Sequence, residues 1–213
     1  MPDLSITELM ECPRALWLKK KKDFYVKPSS AYWAFRGQMA HSIMEAGALP
    51  DDLVEKRLYA TLGGYRVSGQ YDLIRPPKII DYKTCKKVPG DVNPNHRIQL
   101  SCYRWLSSQQ PDPVTITHGE ICYMDMSQHI TLQVSLMSLE ETEAWMKERL
   151  VTLSEIIAKD DEAPKFENHF NPRNWKCGNS EQWSYCEVRK LCTHGQGLTE
   201  EEPKPRKVKA SSR

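Results

Sequence analysis

Two acidic residues and a lysine occupy neighbouring strand candidates in this 213-residue chain. Asp81 is predicted at the end of one strand and Asp72 in the middle of its hairpin partner, with the turn signal Pro76-Pro77 between them. Acids placed in this way can share a divalent cation. Lys83 projects from the same strand face as Asp81, where its ammonium can hold the negative charge that builds on a phosphate under attack. A solvated strand edge is the alternative, because Asp-x-Lys triplets are common in charged chains.

The composition indicates one well-packed domain, since 39% of the residues are hydrophobic. No apolar run approaches the roughly 20 residues that span a bilayer, and the amino terminus is polar rather than signal-like. We therefore expect a soluble, cytoplasmic protein with no membrane partner. Seven cysteines, an odd number, suit a reducing compartment better than a disulfide framework. Three of them are interpreted as packing residues: Cys85, Cys102 and Cys122.

The net charge of +2 does not indicate a nucleic-acid partner by itself. Any such binding has to come from local basic clusters, and two are present, at residues 19–22 and 204–209. A basic run is more often a solvated face than a binding site. The second cluster lies in a segment, 199–213, that proline and charge predict to be a disordered tail.

Hydrophobic periodicity and turn signals predict an order of helices and strands. Ser5 and Ser138 each begin a capping box, which marks the start of a helix. Helices are also predicted at 32–46, 98–106 and 139–157, and strands at 53–62, 65–74, 78–84, 114–124 and 130–136.

Four short motifs occur in order along the chain: Gly37-Gln38-Met39-Ala40-His41, Gly69-Gln70-Tyr71-Asp72, Asp81-Tyr82-Lys83-Thr84 and Gln99-Leu100-Ser101-Cys102-Tyr103. Four motifs in a fixed order are far more specific than one. Over about residues 1–195 the chain resembles the RecB-type PD-(D/E)xK exonucleases. That group includes the nuclease domains of RecB and AddB and the CRISPR-associated "Cas four" nucleases.

The resemblance implies an α/β fold, in which a PD-(D/E)xK nuclease core has a central mixed β-sheet flanked by helices. A C-terminal segment containing cysteines would pack against the N-terminal helix. The nuclease domain would span residues 1–198, with 1–30 and 164–195 forming a subregion stapled by cysteines.

The resemblance also implies a role for individual residues. His41, Asp72 and Asp81 would be side-chain ligands of a metal ion, with the backbone carbonyl of Tyr82 as a further ligand. Oxygen donors suit Mg²⁺ and Mn²⁺, and the imidazole favours Mn²⁺. Lys83 would orient the attacking water, so that Asp72, Asp81 and Lys83 are the predicted catalytic residues.

The resemblance implies that Gln99 and Tyr103, which lie four residues apart on one helix face, hold the nucleic-acid strand beside the cation. An ordinary half-buried pair is the alternative for these two residues, as a satisfied helix histidine is for His41. Glu55, in the strand before Asp72, is either a further acid near the metal or a solvated strand residue.

The segment around Cys12-Pro13 resembles the amino-terminal Cys-Pro segment of the iron–sulfur members of this group. In those members one early and three late cysteines bind a [4Fe–4S] cluster, which here would be Cys12, Cys177, Cys186 and Cys192. Five residues separate the last two cysteines, as in the family, but eight separate Cys177 from Cys186 where the family usually has two. Zinc and no metal are the alternatives, because thiolates suit zinc as well as iron–sulfur clusters.

Together these roles imply a metal-dependent DNA exonuclease that hydrolyses phosphodiester bonds at single-stranded or frayed ends. It would act in recombination, repair, phage DNA metabolism or CRISPR spacer processing, with DNA and other recombination or CRISPR-adaptation proteins as partners. Two alternatives are a catalytically inactive DNA-binding or interaction module and a structure-specific or restriction-like endonuclease. The complete set of site side chains argues against the first alternative. No segment suited to reading a DNA sequence supports the second.

Overall fold

The structure is a computed structural model that describes residues 3–24, 28–158, 186–188 and 191–192, with the backbone alone for residues 28–31 and 33. The described residues divide into two compact units. The first contains residues 3–11 and 31–158, and the second contains 12–24, 28–30, 186–188 and 191–192. In this part of the chain no helix has both the length and the apolar character required to cross a membrane.

The predicted α/β class is confirmed, because helices flank mixed sheets. The helices are α1 (Ile6–Leu9), α2 (Pro13–Lys21), α3 (Pro28–Ala46), α4 (Pro94–Ser108) and α5 (Leu139–Ala158). The strands are β1 (Asp3–Ser5), β2 (Leu53–Val54), β3 (Arg57–Leu62), β4 (Tyr65–Gln70), β5 (Leu73–Arg75), β6 (Lys78–Thr84), β7 (His118–Met124) and β8 (His129–Val134). Both predicted capping boxes are present, at Ser5 with Glu8 and at Ser138 with Glu141.

The strands are divided between two sheets in the first unit. The smaller sheet has the order β1-β4-β3, with β1 parallel and β3 antiparallel to β4. The larger sheet has the order β2-β5-β6-β7-β8, in which only the β6–β7 pair is parallel. Helix α4 connects these two parallel strands, as a crossover in a βαβ unit does. Strand β6, which carries Asp81 and Lys83, is therefore the central strand of the larger sheet.

Two of the predicted strands are broken where the chain passes from one sheet to the other. Glu55 separates β2 from β3, and Asp72 lies in the break between β4 and β5. Glu55 has φ 47°, a left-handed conformation that is uncommon without glycine, and its N–H donates to the Asp72 carbonyl at 3.0 Å. The predicted positions of the acids are thus corrected. Asp72 is not in the middle of a strand, because the ladder breaks where the chain changes sheets. Asp81 is not at a strand end, because β6 continues to Thr84 in its pairing with β7.

Helix α4 contacts strands of both sheets as well as α1 and α5. Its inner face buries Leu100 and Leu106, and α5 buries Met146, Leu150 and Leu153. The α5 side chains are spaced by four and three residues, as on one face of an amphipathic helix. This packing holds α4, and with it Gln99 and Tyr103, beside β6 and β7.

Gly69 is required by this packing. A Cβ atom at position 69 would lie 2.8 Å from Leu106 Cδ1, 2.8 Å from Tyr103 Cε1 and 3.0 Å from Ile6 Cγ1. We predict that Gly69→Ala lowers the free energy of unfolding by about 1–3 kcal/mol, because overpacking forces side chains off their rotamers. Urea denaturation followed by circular dichroism measures the change. Gly90→Ala is the matched control, since a Cβ there meets no atom within 4 Å; equal stability of the two variants would contradict the packing argument.

The second unit contains α2 and the described cysteines of both chain ends. The apolar face of α2 is buried through Ala15, Leu16, Trp17 and Leu18. At the end of this helix, Lys19 Nζ lies 2.8 Å from Glu187 Oε2. This ion pair joins the N-terminal helix to the C-terminal cysteine segment within the unit. Of the predicted stapled subregion, most of residues 1–30 are described, but most of 164–195 lies outside the described residues. The predicted tail (199–213) lies wholly outside them.

Candidate active site

Three potential ligand atoms, from His41, Glu55 and Asp72, lie within 4.8 Å of one another. His41 Nδ1 is 3.1 Å from Glu55 Oε1 and 3.4 Å from Asp72 Oδ1. Neighbouring ligands of an octahedral Mg²⁺ ion stand about 3.0 Å apart, given metal–ligand distances of about 2.1 Å. The spacing of these side chains thus fits one hard cation. Glu55, whose role the sequence left open, belongs to the group.

The position of His41 follows from the packing of α3. One turn after His41, Met44 packs against a buried cluster formed by Leu73, Ile80, Tyr82 and Cys122. The Tyr82 ring also meets the His41 imidazole edge-on, with ring centroids 6.4 Å apart. These contacts hold the helix so that His41 faces the break at Asp72.

Asp72 is the residue that connects the two parts of the site. Its Oδ2 accepts a hydrogen bond of 2.7 Å from the Tyr82 N–H, while its Oδ1 faces His41. Burial, and next the charge of Asp81, raise the pKa of Asp72 to about 7, although Lys83, the Tyr82 N–H and His41 act in the opposite direction. In the protein without metal this carboxyl therefore still binds a proton at pH values where an ordinary aspartate is fully ionised, and a cation would have to displace that proton.

Asp81 and Lys83 lie on one face of β6, as predicted. Asp81 is only 1% exposed, and Lys83 Nζ lies 2.6 Å from its Oδ2. Burial lowers the pKa of Lys83, but the charges of Asp81 and Asp72 outweigh it, so that the pKa is raised overall. Lys83 is therefore a cation at neutral pH.

One oxygen of the buried Asp81 carboxylate lacks a partner. Oδ2 is paired with the Lys83 ammonium, whereas Oδ1 has no hydrogen-bond partner within the described structure. Unsatisfied buried carboxylates are costly and rare. Asp81 lies outside the group of three ligand atoms, but its charge acts on Asp72. A cation beside Asp72 would supply the missing partner, which is the second observation that fits a metal site.

Gln99 and Tyr103 share a face of α4, as predicted, and are hydrogen-bonded to each other. Gln99 Nε2 donates to the Tyr103 hydroxyl at 2.7 Å. Tyr103 is 5% exposed, its ring is the one that excludes a side chain at Gly69, and burial raises its pKa. The half-buried Gln99 is thus the member of the pair that is accessible to a ligand, and Tyr103 orients it.

His96 and Tyr123 were not found by sequence reasoning. Tyr123 is the register partner of Lys83 on β7, and its hydroxyl lies 2.8 Å from His96 Nδ1 and accepts the Asn93 N–H at 3.1 Å. Burial, and then the charge of Lys83, lower the pKa of His96 to about 4, so that its imidazole is neutral. These residues tie the start of α4 to the strand beside Lys83. The sequence does place His96 three residues before Gln99, on the same helix face, and this spacing indicates that the two are neighbours.

The cysteines predicted to bind a cluster lie in the second unit, apart from Cys177, which is outside the described residues. Burial raises the pKa of Cys12, the amides of Ala15 and Arg14 lower it, and the nearby sulfurs of Cys186 and Cys192 raise it. None of the described cysteines forms a disulfide. In the described part of the chain, these three sulfurs do not form a group within 4.8 Å of one another. Cys102 and Cys122 are buried in the first unit, as predicted for packing residues.

Residues 17–193 match the sequence family described as the PD-(D/E)XK nuclease superfamily. This match spans most of the chain, so the chain belongs to the PD-(D/E)XK nuclease superfamily. Such nucleases use divalent metal ions and act on nucleic acids, in agreement with the site of His41, Glu55, Asp72, Asp81 and Lys83.

A solved structure shares this fold, and a second is more distantly similar. The crystal structure of SSO0001 superposes with a TM-score of 0.61 and 18% sequence identity, covering 92% of this chain and 87% of that chain. An alkaline exonuclease (LHK-Exo) from Laribacter hongkongensis gives a TM-score of 0.47 and 12% identity, covering 73% of this chain and 89% of that chain. A search of curated protein sequences gives no significant match.

Proposed function

We propose that the protein is a RecB-type deoxyribonuclease that depends on Mg²⁺ or Mn²⁺ and degrades DNA from single-stranded or frayed ends. The observation that supports this most directly is the convergence of His41, Glu55 and Asp72 next to the Asp81–Lys83 pair. The set combines a place for a cation with a fixed ammonium group. Both can stabilise the negative charge that develops when water attacks a phosphodiester in line.

Each residue has a part that follows from its position. A divalent cation bound by His41, Glu55, Asp72 and Asp81 would supply Lewis-acid stabilisation of phosphate charge and a nucleophilic water at neutral pH. The Tyr82 carbonyl is proposed as a backbone ligand from the family pattern. Lys83 stays protonated beside Asp81, so its ammonium can orient the water and hold negative charge on the phosphate.

The DNA strand is proposed to contact α4 beside this centre. The hydrogen bond to the Tyr103 hydroxyl holds the Gln99 amide in place. The amide can therefore donate to or accept from a nucleotide without a large loss of rotamer freedom. The neutral His96 and the hydroxyl of Tyr123 keep this helix end in place.

Digestion of labelled oligonucleotides tests the proposal. Single-stranded and double-stranded DNA labelled at either end is incubated with Mg²⁺, with Mn²⁺ or with EDTA, and a circular single strand is included. We expect metal-dependent release of short products from linear DNA and none from the circle. Cutting of the circle would show an endonuclease. Absence of cutting with every metal and substrate, together with retained DNA binding, would show an inactive binding module.

We also propose that Cys12, Cys177, Cys186 and Cys192 bind a [4Fe–4S] cluster. The proximity of Cys12 to Cys186 and Cys192 supports a shared metal centre at the junction of both chain ends.

Spectroscopy of anaerobically purified protein tests this centre. We expect a brown protein with a broad absorption band near ~400 nm, from iron–thiolate charge transfer, and about four irons per chain. Cys192→Ala is expected to lose the band, whereas Cys102→Ala, which changes a buried cysteine of the first unit, keeps it. A colourless protein that contains one zinc would contradict the proposal.

A further inference from the structure

Gly37 lies in the middle of α3, although packing against the described residues does not require a glycine there. Glycine is a poor helix former, and the backbone at Gly37 is not in the left-handed region. A Cβ at this position would have Thr84 Oγ1 as its nearest neighbour, at 4.0 Å, which is an ordinary contact distance. At Gly69, by contrast, a Cβ would meet side chains at 2.8 Å. Packing among the described residues therefore does not explain this glycine, whereas close contact with a bound ligand would.

The bare surface at Gly37 faces a cavity of about 600 Å³ in the first unit. The cavity is lined by Gly37, Gln38, His41, Ser42, Glu45 and Glu55. Two of these residues, His41 and Glu55, belong to the candidate metal site. A volume of this size is in the range of small-molecule binding sites, so one nucleotide unit can enter next to the cation.

The chemistry of the cavity selects which part of a nucleotide fits. Glu45 and Glu55 would repel a phosphate that is not neutralised by a metal ion. Gln38 and Ser42 offer neutral hydrogen-bond donors and acceptors, which suit sugar oxygens and base edges. The cavity is therefore suited to the uncharged part of a nucleotide, with the phosphate directed to the metal site.

We propose that this cavity receives the nucleoside of the nucleotide next to the scissile phosphate, and that Gly37 determines its fit by letting the sugar lie against the backbone of α3. The inference rests on the proposed nuclease function and adds a substrate subsite to it. Gly37 is thus a position that serves substrate binding at the expense of helix stability.

Gly37→Ala tests the subsite because stability and binding are expected to change in opposite directions. The melting temperature is expected to stay equal or to rise by about 2–4 °C, since alanine favours the helix. Affinity for a fluorescein-labelled single-stranded oligonucleotide is expected to fall about 10-fold or more. Fluorescence anisotropy measures it in a Lys83→Met background, which prevents cutting, and Mn²⁺ affinity should be unchanged. Gly47→Ala, at the end of the same helix and outside the cavity lining, is the control that should bind like its parent.

A series of oligonucleotides with one abasic residue identifies the part that is bound. The parent is expected to lose affinity at one abasic position. Gly37→Ala is expected to lose little at that position, because its nucleoside no longer enters the cavity and the base contact is already absent. Unchanged DNA affinity and unchanged KM in Gly37→Ala, or a lowered melting temperature, would overturn the subsite. If the wild type cuts DNA while Gly37→Ala has the same KM, only the subsite fails. If the wild type neither binds nor cuts, the proposed function fails with it.

Discussion

Lys83→Met is expected to lower kcat for phosphodiester cleavage by about 10²- to 10³-fold, because it removes a positioned cation from a largely buried site. The nonpolar side chain keeps the length of the lysine stem, so β6 should keep its packing. Mn²⁺ binding is expected to persist, since Lys83 is not a ligand and its removal takes away a positive charge beside Asp81. Initial rates on end-labelled DNA at saturating Mn²⁺ measure the first effect, and calorimetric titration measures the second.

Lys78→Met is the matched control for this variant. Lys78 lies on the same strand but on the opposite face, where its ammonium pairs with Glu120 at 2.8 Å. Its loss should leave kcat essentially unchanged, because a partly exposed ion pair contributes little. Cutting by Lys83→Met at the wild-type rate would exclude a role for this lysine in catalysis.

Asp72→Asn is expected to weaken Mn²⁺ binding at pH 8 by more than about 100-fold. Mutation of a residue that only orients a metal ligand typically lowers metal affinity about 10- to 100-fold. Loss of a direct ligand should therefore lower it further. The amide oxygen of asparagine can still accept the Tyr82 N–H, so the local fold should persist. Asp91→Asn, a change at an exposed aspartate in the loop before α4, should bind Mn²⁺ like the wild type. Wild-type affinity in Asp72→Asn would exclude Asp72 as a ligand.

The same substitution is expected to change the pH dependence of the protein without metal. The pKa of Asp72 is raised to about 7 in the fold, whereas an unfolded aspartate has a pKa of about 3.9. The folded state therefore holds this proton more tightly. Its contribution to stability is fully present below about pH 4 and is lost as the pH rises to about 7. Asp72→Asn should unfold at a higher denaturant concentration than the wild type at pH 8, and the difference should shrink toward pH 4.

Mn²⁺ affinity of the wild type should rise with pH, whereas the stability contribution of the Asp72 proton falls. The reason is that the proton and the cation compete for Asp72. Affinity is expected to rise by up to about tenfold per pH unit until about pH 7 and then to level off. Titrations in buffers of different ionisation enthalpy count the protons released. A flat affinity between pH 5 and pH 8 would contradict the competition.

Local sequence rules account for much of the site. The two-residue period of a strand places Asp81 and Lys83 on one face, and the four-residue spacing of a helix joins Gln99 to Tyr103. The order of the motifs anticipated that His41 would meet Asp72. These relations depend on short spacings or on family order, which a single chain displays directly.

The remaining part of the site depends on tertiary structure. Glu55 joins His41 because the chain changes sheets there and adopts a left-handed conformation, which no local pattern indicates. Tyr123 comes to lie beside Lys83 through the parallel register of β6 and β7, which a sequence does not specify. For the same reason the sequence predicts continuous strands through Glu55 and Asp72, where the structure has breaks.

The two acidic residues that face His41 lie where the chain passes from one sheet to the other, and this position affects how the protein unfolds. Glu55 and Asp72 each belong to a segment that enters the three-stranded and the five-stranded sheet, and each is in contact with His41. One ion held by these residues would bind only when both sheets are formed, so its binding energy would be shared between them. Metal binding would therefore raise the cooperativity of unfolding and make the two sheets melt as one.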